Sequence, residues 1–436
     1  MSDALQPFAP TRSDPFDLRK CGHLLRRAGF GASLQHRQRL VRDGLDAALA
    51  EVTAPPAPGT VDALLQEAIA LAEIERVRAY RVLRALDCSA PLAERMSVFW
   101  HGHFATGNQK VLDPRAMALQ FATFDRCGLG TFDELCTALG RDPALLRWLD
   151  NDTNVKGRPN ENFARELFEL FTLGRGNYGE DDVREAARAF TGHEVHDGAF
   201  TFVRARHDGG EKHVLGQQGP FRGDDVVALA VRQPASARFL ARKWLLHFVQ
   251  PDPLPEHQDE LARCYEQNDR HVGRTLAVLL RSRLFFAPTS YRSRVKSPAD
   301  FAIGLVRALG ARAAPSELAR AMARMGEVWC EPPSVEGWHG DRAWLTGASW
   351  LLRSNFAADL LAGRRGKLRP AVDDLLAAAS TPEQRCTLAL LHLLDGDAGP
   401  ASRERLLAFA RTQPAGPAQD AALLHAVTLL PEYQLL

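Results

Sequence analysis

The feature that most limits what this chain can fold into is a long succession of helix-length apolar stripes, broken only once. "LRKCGHLLRRAGF" carries apolar residues near helical spacing and stops at Gly29 and Gly31. "VDALLQEAIALAEIERVRAYRVLRALD" reads as one long helix or as two in tandem. "PLAERMSVFWHGHFA" opens on Pro91, where a missing N–H costs nothing in a first turn. Further helices are expected at 115–126, 131–139, 160–173, 180–190, 223–230, 235–249, 256–267, 271–282 and 297–309. The same reading continues at 315–325, 347–362, 370–378, 383–394, 402–411 and 418–430.

The exception is "HEVHDGAFTFVRARHDGGEKHVLGQQG", 193–219, which holds four of the fourteen histidines. Alternation at "FTFVR", a turn at "HDGGEK" and a resumption at "HVLG" predict strands 199–203 and 212–216 paired antiparallel. The fold class is therefore mainly α, a large multi-helix domain with a small antiparallel β-hairpin excursion. "TAPPAPGT" (53–60) reads as a surface loop, and "LAGRRGKLRPAV" (361–372) as a short linker. The expected division is a main helical body over 1–365 and a C-terminal helical segment, 366–436, packed on it.

Charge and cysteine content narrow the function classes. The 436 residues carry 54 basic and 53 acidic side chains, a net charge of +1. That balance gives no electrostatic reason to expect nucleic acid as a partner. Seven scattered cysteines with no C-x-x-C pair speak against a zinc ribbon or a disulfide framework. No apolar run approaches the roughly 18 residues of a membrane span. The N-terminus shows no apolar core of a signal peptide and no twin-arginine pair, so a cytoplasmic setting is expected.

The densest polar pattern is "NENFARELFELFTLG", 160–174. Asn160 suits an N-cap and Gly174 the position just past a helix end. Phe163, Leu167, Leu170 and Phe171 share one face. Glu161, Arg165 and Glu169 form a stripe at i, i+4, i+8, with Asn162 and Glu166 beside it. The plain reading is an exposed ion-pair ladder worth tenths of a kcal/mol per pair. The sharper reading is a site: Glu166 and Glu169, at i, i+3, sharing a proton or a metal. Polar, Gly-rich loops at both ends favour the second.

In "FWHGHF", helical phase places His103 inward with Met96, Phe99 and Trp100, and His101 on the more exposed side. "RHDGGEKHVLG" offers His207, Asp208 and Lys212, either as a capped turn or as an anion-holding loop. "PPSVEGWHGDRAW" reads as a buttressing loop packed on the core. Arg26 and Arg27 are expected to tie the N-terminal helix to carboxylates elsewhere. No P-loop, G-x-S-x-G, H-E-x-x-H or G-x-G-x-x-G is present.

"HLLRRAGFGAS", "VFWHGHFATGNQKV", "RDPALLRWLDN", "PNENFARELFELFTLGRGNYGEDDVREAARAFTG", "RHDGGEKHVLG" and "EPPSVEGWHGDRAWL" occur in that order. Together they resemble the bacterial family called domain of unknown function 1800, from about residue 20 to the final "TLLPEYQLL". The resemblance implies no established activity. It implies only that many relatives are exported by a twin-arginine signal and encoded beside a sulfatase-like partner. His193 stands where that family typically has Trp.

Two functions compete. The first is an enzyme of unassigned reaction, in the form of a metal-dependent hydrolase. Its pocket is built by helices 94–105 and 160–173 and the His-rich loop 193–213. Its catalytic residues are Glu166, Glu169, Arg165 and His103, with Asn160, Asn162, Lys212 and Asp208 binding substrate. A divalent metal would sit on His103, Glu166 and His207. The alternative is a non-catalytic binding or scaffold protein in which the same residues form a structural network.

Overall fold

The computed structural model describes residues 4–55, 62–363, 375–412 and 416–436. The fold is mainly α, and helices appear at nearly every segment where the periodicity places them. The expected helix at 370–378, the linker at 361–372 and the loop at 53–60 lie largely outside the described residues, as does the 365/366 boundary. The long tandem pattern is two helices, Asp62–Leu71 and Ile74–Asp87, separated where Ala72 takes a positive φ. Helix starts are set by local chemistry. Thr131 and Glu134 form a capping box, Asp113 caps the helix Pro114–Cys127, and proline opens many of the others.

The β excursion differs from expectation. Strands 199–203 and 212–216 do not pair with each other. Two separate hairpins form: β1 (His193–His196) with β2 (Ala199–Phe202), and β3 (Lys212–Val214) with β4 (Gln217–Gly219). The cause is turn chemistry. Asp197-Gly198 and Leu215-Gly216 each supply two successive residues at positive φ, which closes a two-residue hairpin. "HDGGEK" joins the hairpins instead of turning one.

The buried side chains form two cores. One gathers apolar residues from Phe8 to Phe286 together with Cys330, and includes Trp100, Phe168 and Trp244. The other packs Phe301, Ile303, Met322, Phe356 and Leu390 with Tyr433, and also takes in Phe30 and Val82. Charged side chains bridge the halves: Asp395 pairs with Arg26 at 2.6 Å and also with Arg37. Arg26 thus ties the N-terminal helix to a carboxylate, as its sequence position suggests. Arg27 donates instead to Ser290 O, Ser293 Oγ and Leu436 O. No described helix is long and apolar enough to cross a membrane.

His23, His101, His103 and His193 are all buried. Burial holds each below its ordinary value, His101 at about 3 and His193 at about 4. A folded-state pKa below the unfolded one means stability is full above about pH 6.5 and drains as pH falls toward the folded values. Urea midpoints measured from pH 7.5 to 4.5 are expected to fall steadily below about pH 6.5. A flat profile over that window would show that these imidazoles are not neutral in the native protein.

Candidate functional site

The segment 160–173 is not one α-helix. It runs as α-helix over Asn162–Glu166 and continues as a π-helix over Leu167–Thr172. The wider turn is stabilised from three sides. Thr172 Oγ1 donates to Leu167 O at 2.5 Å. At the end of the π segment, Phe171 O accepts from His103 Nε2 at 2.9 Å and Leu170 O from Lys243 Nζ at 3.5 Å. These are carbonyls a helix end leaves without intrahelical partners. Gly174, at φ +78°, then stops the element, its N–H returning to Phe168 O. π turns are rare and concentrate at functional sites.

This geometry redistributes the polar stripe. Arg165 keeps Glu161 at 3.0 Å, as an i, i+4 pair, and takes Glu180 through two bonds of 2.9 Å. Glu169 does not continue that ladder, because the π turn carries it off the Arg165 row. It accepts instead from Arg175 Nε at 2.6 Å and Tyr178 OH at 2.9 Å. Burial pushes the Glu169 carboxyl up, but the bonds from Arg175 and Tyr178 outweigh it and hold it below its ordinary value. Tyr178 is raised to about 12 by burial and by Glu169.

Glu166 behaves differently. It is partly buried and makes no hydrogen bond or ion pair with any described residue. Burial raises its pKa, and the Glu169 charge raises it further. Glu336 also raises it, from the loop that carries the "PPSVEGWHG" motif. Arg175 lies within 3.7 Å of Glu336, so the loop meets the cluster. One carboxyl is pushed up and its neighbour held down, the separation that assigns an acid and a base in many active sites.

The remaining predicted residues are placed as follows. Asn160 is not the residue immediately before the helix; that is Glu161. Its side chain accepts from Asn162 N–H at 3.0 Å and donates to Asp150 O at 3.3 Å. Asn162 donates to Leu149 O at 3.2 Å. Asp208 binds Arg188 at 2.8 Å and caps Gly210 N–H at 2.9 Å, which brings it down to about 2. Lys212 is fully buried and donates to Asp208 O and Gly210 O at 2.6 and 2.9 Å. Asp208 thus bonds to the helix Glu180–Ala189 through Arg188, and Lys212 to its own turn. His207 Nδ1 lies 2.9 Å from Thr191 O.

Two expectations need correction. Among the described residues no group of three His, Cys, Asp or Glu side chains is arranged to hold a metal, so His103, Glu166 and His207 are not brought together as one. His103 and His207 each direct a ring nitrogen at a backbone carbonyl, and the charge acting on His103 is the Lys243 ammonium. His101 is not exposed. Its Nε2 accepts from Cys330 N–H at 2.9 Å, between the rings of Phe121 and Trp338. The 327–346 loop folds over the face that helical phase leaves open.

Arg175, Tyr178, Glu336 and Lys243 were missed from the sequence. The first two lie in "GRGNYGEDD", a loop whose polarity was visible but whose members had no partner to be read against. Lys243 had no signal at all: burial lowers it to about 8 in an apolar helix.

The model of a family described as "Protein of unknown function (DUF1800)" matches residues 23–435. No curated protein and no solved structure matches the chain. The chain belongs to that family.

Proposed function

We propose that this member of the DUF1800 family is an enzyme whose Glu166 acts as general acid beside the ionised Glu169. The observation that carries the reading is the contrast between two neighbours on one element. Glu169 is fully bonded and held ionised; Glu166 is unbonded, partly buried and shifted toward the protonated form. A general acid needs that raised value and a free proton-bearing oxygen. The reaction class that fits is hydrolysis, with Glu166 protonating a leaving group. Arg175 and Tyr178 keep Glu169 charged, and Arg165 orients the helix through Glu161 and Glu180. His103 serves as a positioning residue for the π turn. The reading assigns no metal to His103, Glu166 and His207, which among the described residues do not come together as a ligand group.

The second reading is a non-catalytic binding or scaffold protein. It is favoured by Asn160, Asn162, Asp208 and Lys212, whose polar atoms bond to backbone groups of the chain itself.

The test compares the native chain with Glu166→Gln on chromogenic carboxylic-ester, phosphate-ester and glycoside substrates. One class is expected to be turned over, with an alkaline limb that follows Glu166 and with loss of about 10²–10⁴-fold in the variant. Stability supplies a separate readout. A folded pKa above the unfolded one makes Glu166 a liability as pH rises through that value, so Glu166→Gln is expected to raise Tm at pH 7.5 and lose that advantage near pH 4. No turnover of any class, or turnover that survives Glu166→Gln, would favour the scaffold.

A further inference from the structure

The two cores meet at a small cavity of about 20 Å³, lined by Arg26, Arg37, Lys296, Asp300 and Tyr433 among others. Around it the buried charges do not balance. Arg27, Arg37, Arg95, Lys296 and Arg353 are buried, against the acids Asp300, Glu327 and Asp395. The acids are already used. Asp395 serves both Arg26 and Arg37, and Asp300 pairs with Arg95 at 2.8 Å. Glu327 accepts from Ala299 N–H and Trp329 Nε1. Even with a carboxylate granted at Leu436, five buried cations face four acids; among the partly buried charges beside them Arg294 has Asp341, Arg292 has Asp397, and Arg26 shares Asp395.

Lys296 is the member left over. It is 4% exposed, its Nζ lies 3.5 Å from the centre of the Tyr433 ring, and it donates to no described oxygen. Arg353 donates to carbonyl and amide oxygens alone, Arg27 reaches Leu436 O besides Ser290 O and Ser293 Oγ, and each leaves Nε unused. Burial, with the charges of Arg26 and Arg353, pushes the Lys296 ammonium well below its ordinary value, so keeping it protonated there requires a counter-charge. A neutral water would fill the space without restoring the balance.

We infer that this cavity binds one monoatomic anion of chloride size, held by Lys296 with Arg26 and Arg37, and that the ion helps join the two cores. The volume sets the class. It suits a single water-sized particle and is too small for sulfate or phosphate. The site is separate from the Glu166 cluster and does not rest on the reading proposed for it.

The experiment uses the full chain freed of chloride in sodium gluconate, with sodium chloride added at constant ionic strength. Expected are excess ³⁵Cl NMR line broadening that saturates, and a Tm that rises with chloride and not with sulfate. Lys296→Met should abolish both. Gly304→Ala keeps every charge and places a methyl group at the cavity wall, where its nearest neighbour is Phe30 O at 3.8 Å. It should weaken chloride at least tenfold, and it covers the case in which Lys296→Met fails to fold. Absence of saturable broadening in the native chain, equal stabilisation by sulfate, or undiminished broadening in Gly304→Ala would each overturn the inference.

Discussion

Asp395→Asn is expected to destabilise the chain by about 3–5 kcal/mol, the range for removing one partner of a buried pair. The carboxylate is 1% exposed and is shared by Arg37, itself 3% exposed, and Arg26. Arg37 is also committed to Leu391 O and His392 O, so it cannot swing out to water. The variant therefore strands a buried guanidinium rather than merely losing an attraction. Burial by itself would raise the Asp395 carboxyl, but Arg26 and Arg37 outweigh burial and hold it below its ordinary value. A depressed folded pKa means the contribution is present above about pH 3.9 and is lost only as pH falls through the folded value. The penalty should accordingly stay constant from pH 8 to about 5. Urea unfolding would measure it, with a loss below about 1 kcal/mol counting against the account. Adding Arg37→Met should recover part of the loss, since the stranded charge goes with it.

Gly337→Ala is expected to cost about 2–5 kcal/mol, combining a left-handed backbone penalty of about 1–2 with overpacking of about 1–3. Gly337 sits at φ +79°, and an added Cβ would collide with Gly102 O in the helix Pro91–His103. Backbone meets backbone there, so no side chain can yield. The loop would lift, and two contacts should report it. His101 would lose the Cys330 N–H, and Glu336 would move away from the Glu166 cluster. Hydrogen exchange at Cys330 N–H should accelerate, and the Glu166-dependent pH limb of any turnover should shift toward lower pH as a like charge departs. Gly337→Ala with native stability and an unchanged exchange rate at Cys330 would show that the loop does not depend on this close approach.

The sequence alone determined the mainly helical class and most helix positions. It did so because caps, Pro-first turns and the 3.6-residue stripe are local signals, as at Pro91 and Pro114. It also singled out the segment 160–174 and the loops around it. Tertiary structure decided the rest. The π turn depends on His103 and Lys243 reaching carbonyls from other helices, and no periodicity in the segment reports that. The turn moved Glu169 from Arg165 to Arg175 and left Glu166 alone. His101 was misplaced because helical phase ranks faces against a single partner, and the 327–346 loop supplied a second. The hairpins were misregistered for a local reason, since Asp197-Gly198 outranks the longer Gly-Gly loop. The excess of buried cations around Lys296 could not be read at all, because it requires residues from 26 to 436 to converge on one cavity.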